Sequence, residues 1–136
     1  MKNRRRYIIN FLLLFDSLLL AVGAYIWKCI VRCPTSLQIF LKSGGLYSML
    51  DIVEIGSYPI RCLYLGALTD MCDSTFCGPC FCTWRGTDKK TGLMSLLMII
   101  WREEEDRIGI KRRADDSIAG AISQIKTSSS IRGFFS

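Results

Sequence analysis

The strongest constraint on the fold is a run of 21 residues from Tyr7 to Trp27 that carries one formal charge, Asp16. Drawn as a helix it is about 31 Å long, close to the roughly 30 Å hydrocarbon core of a bilayer. Twelve of its residues are Leu, Ile, Phe or Val. Near a bilayer centre these supply roughly −4 to −7 kcal/mol, against about +2.5 to +3.5 kcal/mol for Asp16. Ile8 to Phe15 is apolar almost all round, a pattern that a one-faced surface helix does not explain. Membrane targeting is therefore the expectation for residues 1–27.

Two forms of targeting fit. In a cleaved signal peptide, Lys2 to Arg6 is the charged region, Phe11 to Leu20 the apolar region and Val22-Gly23-Ala24 the cleavage site. In an uncleaved signal-anchor, Tyr7 to Trp27 forms a single span, with the Trp27 indole at the interface. Lys2, Arg4, Arg5 and Arg6 precede the run while Lys28, Arg32 and Lys42 follow it, which orients the amino terminus to the cytosol. The longer apolar stretch favours the anchor. Asp16 would then be a tolerated defect or the partner of a basic residue on another helix. Residues 28–136 would lie in a lumen, at the cell surface or outside the cell.

The charge balance says little about nucleic acid. The chain has 18 basic and 12 acidic residues, a net +6. Setting aside the four basic residues at the amino terminus leaves 14 against 12, a net +2. A nucleic-acid interface spreads its basic residues over a face or groove, so no nucleic-acid partner is expected. The absence of histidine removes imidazole bases, imidazole ligands and serine triads from consideration. No phosphate loop or Gly-x-Ser-x-Gly motif occurs, and no enzymatic activity is expected.

Cysteine is the distinctive chemistry. Cys29, Cys33, Cys62, Cys72, Cys77, Cys80 and Cys82 all follow the apolar run. Beyond a membrane they would meet an oxidising compartment, where disulfides staple small domains. All seven are disulfide candidates, and the odd count allows a disulfide-linked homodimer. Four thiolates, from Cys72, Cys77, Cys80 and Cys82, give zinc as the alternative for an intracellular, membrane-associated regulator. Otherwise no cofactor is expected. Cys77-Gly78-Pro79-Cys80 resembles the tetrapeptide of the thioredoxin active site, which implies thiol–disulfide exchange as a weaker alternative. That resemblance covers four residues. The spacing Cys72-x4-Cys77-x2-Cys80 is similar to three ligands of plant-type iron–sulfur proteins, but no cysteine follows Cys82 to complete the set.

Elsewhere the pattern reads as mixed α and β. Ser36 to Leu41 and Ile60 to Leu65 are expected to be strands, with a turn at Ser43-Gly44-Gly45. Leu46, Met49, Leu50 and Val53 recur at helical spacing and predict a core-facing helix ending near Gly56. Phe81 to Gly86 reads as extended, Gly86 to Gly92 as a polar turn and Leu93 to Trp101 as a buried strand. From Arg102 the charges mix, with Glu103 and Arg107 at helix-stabilising spacing. Ala114, Ile118, Ile122 and Ile125 predict a further helix, followed by a flexible Thr127–Ser130 and a docking motif at Phe134-Phe135. No internal repeat is evident.

Together these readings give an apolar transmembrane or signal helix (1–27), a small cysteine-rich α+β domain (28–101) and a charged, partly helical tail (102–136). The expected function is that of a membrane-anchored or secreted accessory protein working through protein–protein interaction. By analogy of class, this includes viral and host-interaction factors.

Overall fold

The computed structural model describes the backbone of residues 2–113 and the side chains of residues 14–113. Its regular elements are all helical: α1 (Lys2–Tyr25), a π-helical turn (Ile26–Val31), α2 (Pro34–Lys42), α3 (Gly45–Ile55), α4 (Tyr58–Met71), α5 (Cys77–Thr83) and α6 (Leu93–Arg107). The chain divides into two compact units, Met1–Leu93 and Met94–Ser136. The mixed α+β architecture expected from the sequence is thus corrected to an all-α one.

Each expected strand is a helix for an identifiable reason. Ser36 to Leu41 lies in α2, where extended Cys33 (φ −109°, ψ 108°) precedes Pro34 in the first helical turn. Proline there lacks only an N–H that would have no intrahelical acceptor, and its φ is already helical. Ile60 to Leu65 lies in α4, again with a proline, Pro59, in the first turn. Ile60, Tyr64, Ala67, Leu68 and Met71 are its buried residues, a one-faced helical stripe rather than strand alternation. Leu93 to Trp101 opens α6, whose Leu96 and Ile100 are buried one turn apart. Leucine and methionine dominate this run and favour helix. Helix α5 continues through Thr83, so the extended segment expected from Phe81 begins only at Trp84 (φ −60°, ψ 140°).

The helix predicted from Leu46, Met49, Leu50 and Val53 is α3, and all four residues are buried. The turn before it rests on Gly44, whose φ of +83° is the left-handed conformation that glycine adopts without a Cβ clash at a helix end. The expected polar turn at Gly86 to Gly92 is also present. The Asp88 carboxylate accepts hydrogen bonds from the Lys90 and Thr91 amides (2.9 and 2.8 Å) and from the Thr91 hydroxyl (2.6 Å).

In the first unit, α1 and the π-helical turn pack against α4, α4 against α3, and α3 against both α2 and α5. The α1–α4 contact is polar as well as apolar. Fully buried Tyr64 donates its hydroxyl to the Leu19 carbonyl (2.8 Å). Asp16, the one charge of the apolar run, accepts a hydrogen bond from Ser57 (3.3 Å), the residue capping the amino end of α4. A carboxylate is favoured there by the helix dipole. Trp27, expected at a membrane interface, lies on α4: a Cβ added to Gly66 would stand 2.5 Å from its ring. Helix α3 is closed by Arg61, which donates to the Val53 and Glu54 carbonyls (3.0 Å each).

In the second unit, Glu105 is buried and accepts hydrogen bonds from Trp101 (2.6 Å) and Arg112. Glu104 pairs with Arg107 at 2.8 Å. The expected stripe Ala114, Ile118, Ile122 and Ile125, the Thr127–Ser130 end and Phe134-Phe135 lie outside the described residues.

Candidate functional site

A concavity forms where the start of α2 faces the end of α4. Val31, Pro34, Thr35, Leu37 and Gln38 line one wall. Asp70, Met71, Asp73, Ser74 and Phe76 line the other, around a space of about 500 Å³. That volume falls within the ordinary range of ligand pockets. Local backbone bonds hold the second wall in shape. The Cys72 amide bonds the Thr69 carbonyl (3.2 Å), the Ser74 amide that of Met71 (2.9 Å) and the Cys77 amide that of Ser74 (3.1 Å). The first wall is set by the Leu37 amide on the Cys33 carbonyl (2.8 Å), the opening turn of α2.

The cavity has an apolar floor and an acidic lip. Met71 is fully buried, while Phe76 is half exposed. The formal charges in the lining, Asp70 and Asp73, are both negative. One Asp70 oxygen accepts the Trp27 indole N–H at 2.6 Å. Among the described residues no ion pair neutralises either carboxylate. Sequence reasoning missed this site entirely. Asp70 and Asp73 straddle the end of α4, and the facing wall lies more than thirty residues away along the chain.

The cysteines form no bridges. All seven are free thiols, and Cys29, Cys33, Cys62, Cys72 and Cys82 are exposed. The expected disulfide framework within the chain is therefore corrected. Cys72 and Cys77 donate to the Leu68 and Met71 carbonyls (3.2 Å each), closing the α4 terminus. Burial pushes the Cys77 thiol above its ordinary range, reinforced by neighbouring Cys72 and Cys80. A catalytic thiol of the thioredoxin kind has the opposite shift. Cys33 is lowered by hydrogen bonding to Ser36.

Among the described residues no group of three or more cysteine, aspartate or glutamate side chains is placed to hold a metal ion. Helix α5 explains this for Cys77, Cys80 and Cys82. At about 100° per residue, positions five apart point to different sides, and Cys77 is buried while Cys82 is exposed. Cys72, Cys77, Cys80 and Cys82, weighed as zinc ligands, are not such a group in this arrangement.

Comparison with known proteins places the chain. The family described as Cilia- and flagella-associated protein 69, ARM repeat, matches residues 4–131. Cilia- and flagella-associated protein 69 of Callithrix jacchus is 32% identical over 104 residues, 76% of this chain and 11% of the relative. The Mus musculus and Homo sapiens proteins of that name are 33% and 31% identical over the same shares. The chain thus spans about a ninth of the length of these relatives. No solved structure matches.

The match overturns the reading as a membrane-anchored or secreted accessory protein, because it runs through the apolar helix and the cysteine segment alike. The window Leu14–Val31, with mean hydropathy 1.7, is long and apolar enough to cross a membrane, but stacked repeat helices meet the same criterion by burying apolar surface against one another. With its described elements all helical and residues 4–131 matched by one repeat family, the chain belongs to the Cilia- and flagella-associated protein 69 ARM-repeat family.

Proposed function

We propose that this chain is a non-enzymatic helical-repeat segment of a cilium- or flagellum-associated protein, and that it works by packing against another helical repeat. One observation carries the reading. Helix α1 uses one face on α4 and leaves a second apolar face uncovered, with Leu14, Leu18, Val22 and Tyr25 exposed by 70, 59, 41 and 62%. These positions recur at three- and four-residue intervals and form one stripe. Repeat modules bury such stripes on neighbouring repeats and are unstable when they stand alone.

A role without catalysis fits how the described carboxylates are used. Asp51 holds Trp84, Glu54 holds the Thr87 amide, Asp88 shapes its own loop and Glu105 binds Trp101 and Arg112. A protein partner also suits the charge distribution, since the basic excess sits in Lys2 to Arg6 rather than along a groove.

The test is localisation of the tagged full chain in ciliated cells. We expect enrichment in cilia, release by salt without detergent, and loss of enrichment in a Leu18→Asp, Val22→Asp variant that keeps its helical circular dichroism. A uniform distribution of the unaltered chain, or a requirement for detergent, overturns the reading.

A further inference from the structure

The cavity between α2 and α4 carries an inference separate from the α1 stripe. We propose that it docks a segment of a partner protein in which lysine or arginine residues flank an apolar side chain. The apolar side chain enters between Leu37, Met71 and Phe76. The flanking cations meet Asp70 and Asp73 at the rim.

Charge complementarity selects this occupant. The lining holds two carboxylates and no cationic side chain, within a chain whose net charge is +6. The two unbalanced carboxylates of the rim steer cationic segments to this place. The first turn of α2 also faces the cavity, and a helix amino terminus contributes about half a positive charge. Two full negative charges outweigh it. Asp70 is held in place by the Trp27 indole at 2.6 Å on one oxygen, and a carboxylate has a second oxygen to accept from an incoming donor. Half-exposed Phe76 gains burial only when something enters. Thr35, Gln38 and Ser74 supply neutral polar groups for the main chain of an extended segment.

The test uses the full chain and a fluorescein-labelled peptide, Gly-Lys-Leu-Phe-Lys-Gly, followed by anisotropy. Saturable binding is expected to weaken as salt rises, with no binding of the counterpart carrying glutamate for lysine. Asp70→Asn keeps an oxygen for Trp27 while removing the charge. The Asp70→Asn, Asp73→Asn double variant should bind the lysine peptide about 3- to 30-fold more weakly, the range for two exposed ion pairs. Asp73→Asn alone should show part of that loss, and serves if the double variant fails to fold. Phe76→Ala should weaken binding as well. Asp106→Asn, an equal charge change in the second unit, should leave affinity unchanged. Equal binding of both peptides, an undiminished affinity in the aspartate variants, or an equal loss in Asp106→Asn overturns the proposal. So does the absence of saturable binding.

Discussion

Trp84 donates its indole N–H to the Asp51 carboxylate across 2.9 Å, and through this bond the segment after α5 is fastened to the outer face of α3. Trp84 is 2% exposed, and removing the Asp51 carboxylate takes away the acceptor of its indole N–H. Asp51→Ala should therefore lower unfolding free energy by about 1–3 kcal/mol, whereas Asp51→Asn, which keeps an acceptor, should cost less than half as much. Trp84→Ala should cost about 3–5 kcal/mol through lost packing. Urea unfolding followed by circular dichroism measures all three. Equal stability of the alanine and asparagine variants would show that the bond contributes nothing.

The seating of Trp27 on α4 depends on the missing side chain of Gly66. A Cβ there would lie 2.5 Å from the indole, so Gly66→Ala should destabilise the chain by about 1–3 kcal/mol by overpacking. Combining it with Trp27→Leu should recover part of the loss, giving a non-additive pair. Thermal unfolding of the four proteins in this cycle decides the matter, and strict additivity would rule out the contact.

Thiol reactivity should follow position in the fold. Cys33 is exposed, and hydrogen bonding to Ser36 favours its thiolate, whereas Cys77 is buried and its thiol is pushed up. Limiting iodoacetamide at pH 7.5, read by peptide mass spectrometry, should therefore label Cys33 first. Labelling of Cys77 should require partial unfolding. Early modification of Cys77 would contradict the packing of α5.

Acid should loosen two local structures. Asp88 is held below its ordinary value chiefly by the Thr91 hydroxyl, and Glu105 chiefly by Arg112. A folded-state pKa below the unfolded one means stability that is fully present above the unfolded values of 3.8 and 4.5. It is lost as pH falls through the lower folded values. Melting temperature should drop between pH 5 and pH 3, and the drop should shrink in Asp88→Asn and Glu105→Gln. An unchanged pH dependence in both variants would exclude these groups as its source.

Local patterns carried part of this fold unaided. The stripe Leu46, Met49, Leu50 and Val53 identifies α3 because its four members repeat at helical spacing and all are buried. The turns at Gly44 and at Gly86 to Gly92 are legible from residues that make turns by their own conformational freedom or by local hydrogen bonds. The short apolar runs at Ser36, Ile60 and Leu93 are ambiguous, since a few consecutive apolar residues suit a buried strand and a buried helix equally. Pro34 and Pro59 stand in the first turns of α2 and α4, where proline suits a helix start. The absence of a visible internal repeat reflects the same limit: helical repeats are defined by the placement of apolar positions over about 40 residues rather than by identical letters.

The sequence by itself determined that the amino-terminal segment is an apolar helix, that imidazole chemistry is absent and that cysteine is abundant. Only the tertiary structure decided what these features do. Whether an apolar helix meets lipid or another helix depends on partners distant in the chain: Asp16 meets Ser57, Tyr64 meets Leu19 and Trp27 meets Asp70. The cysteines were likewise undecided until α5 turned Cys77 inward and Cys82 outward, because bridging and metal binding require convergence in space and spacing along the chain does not supply it.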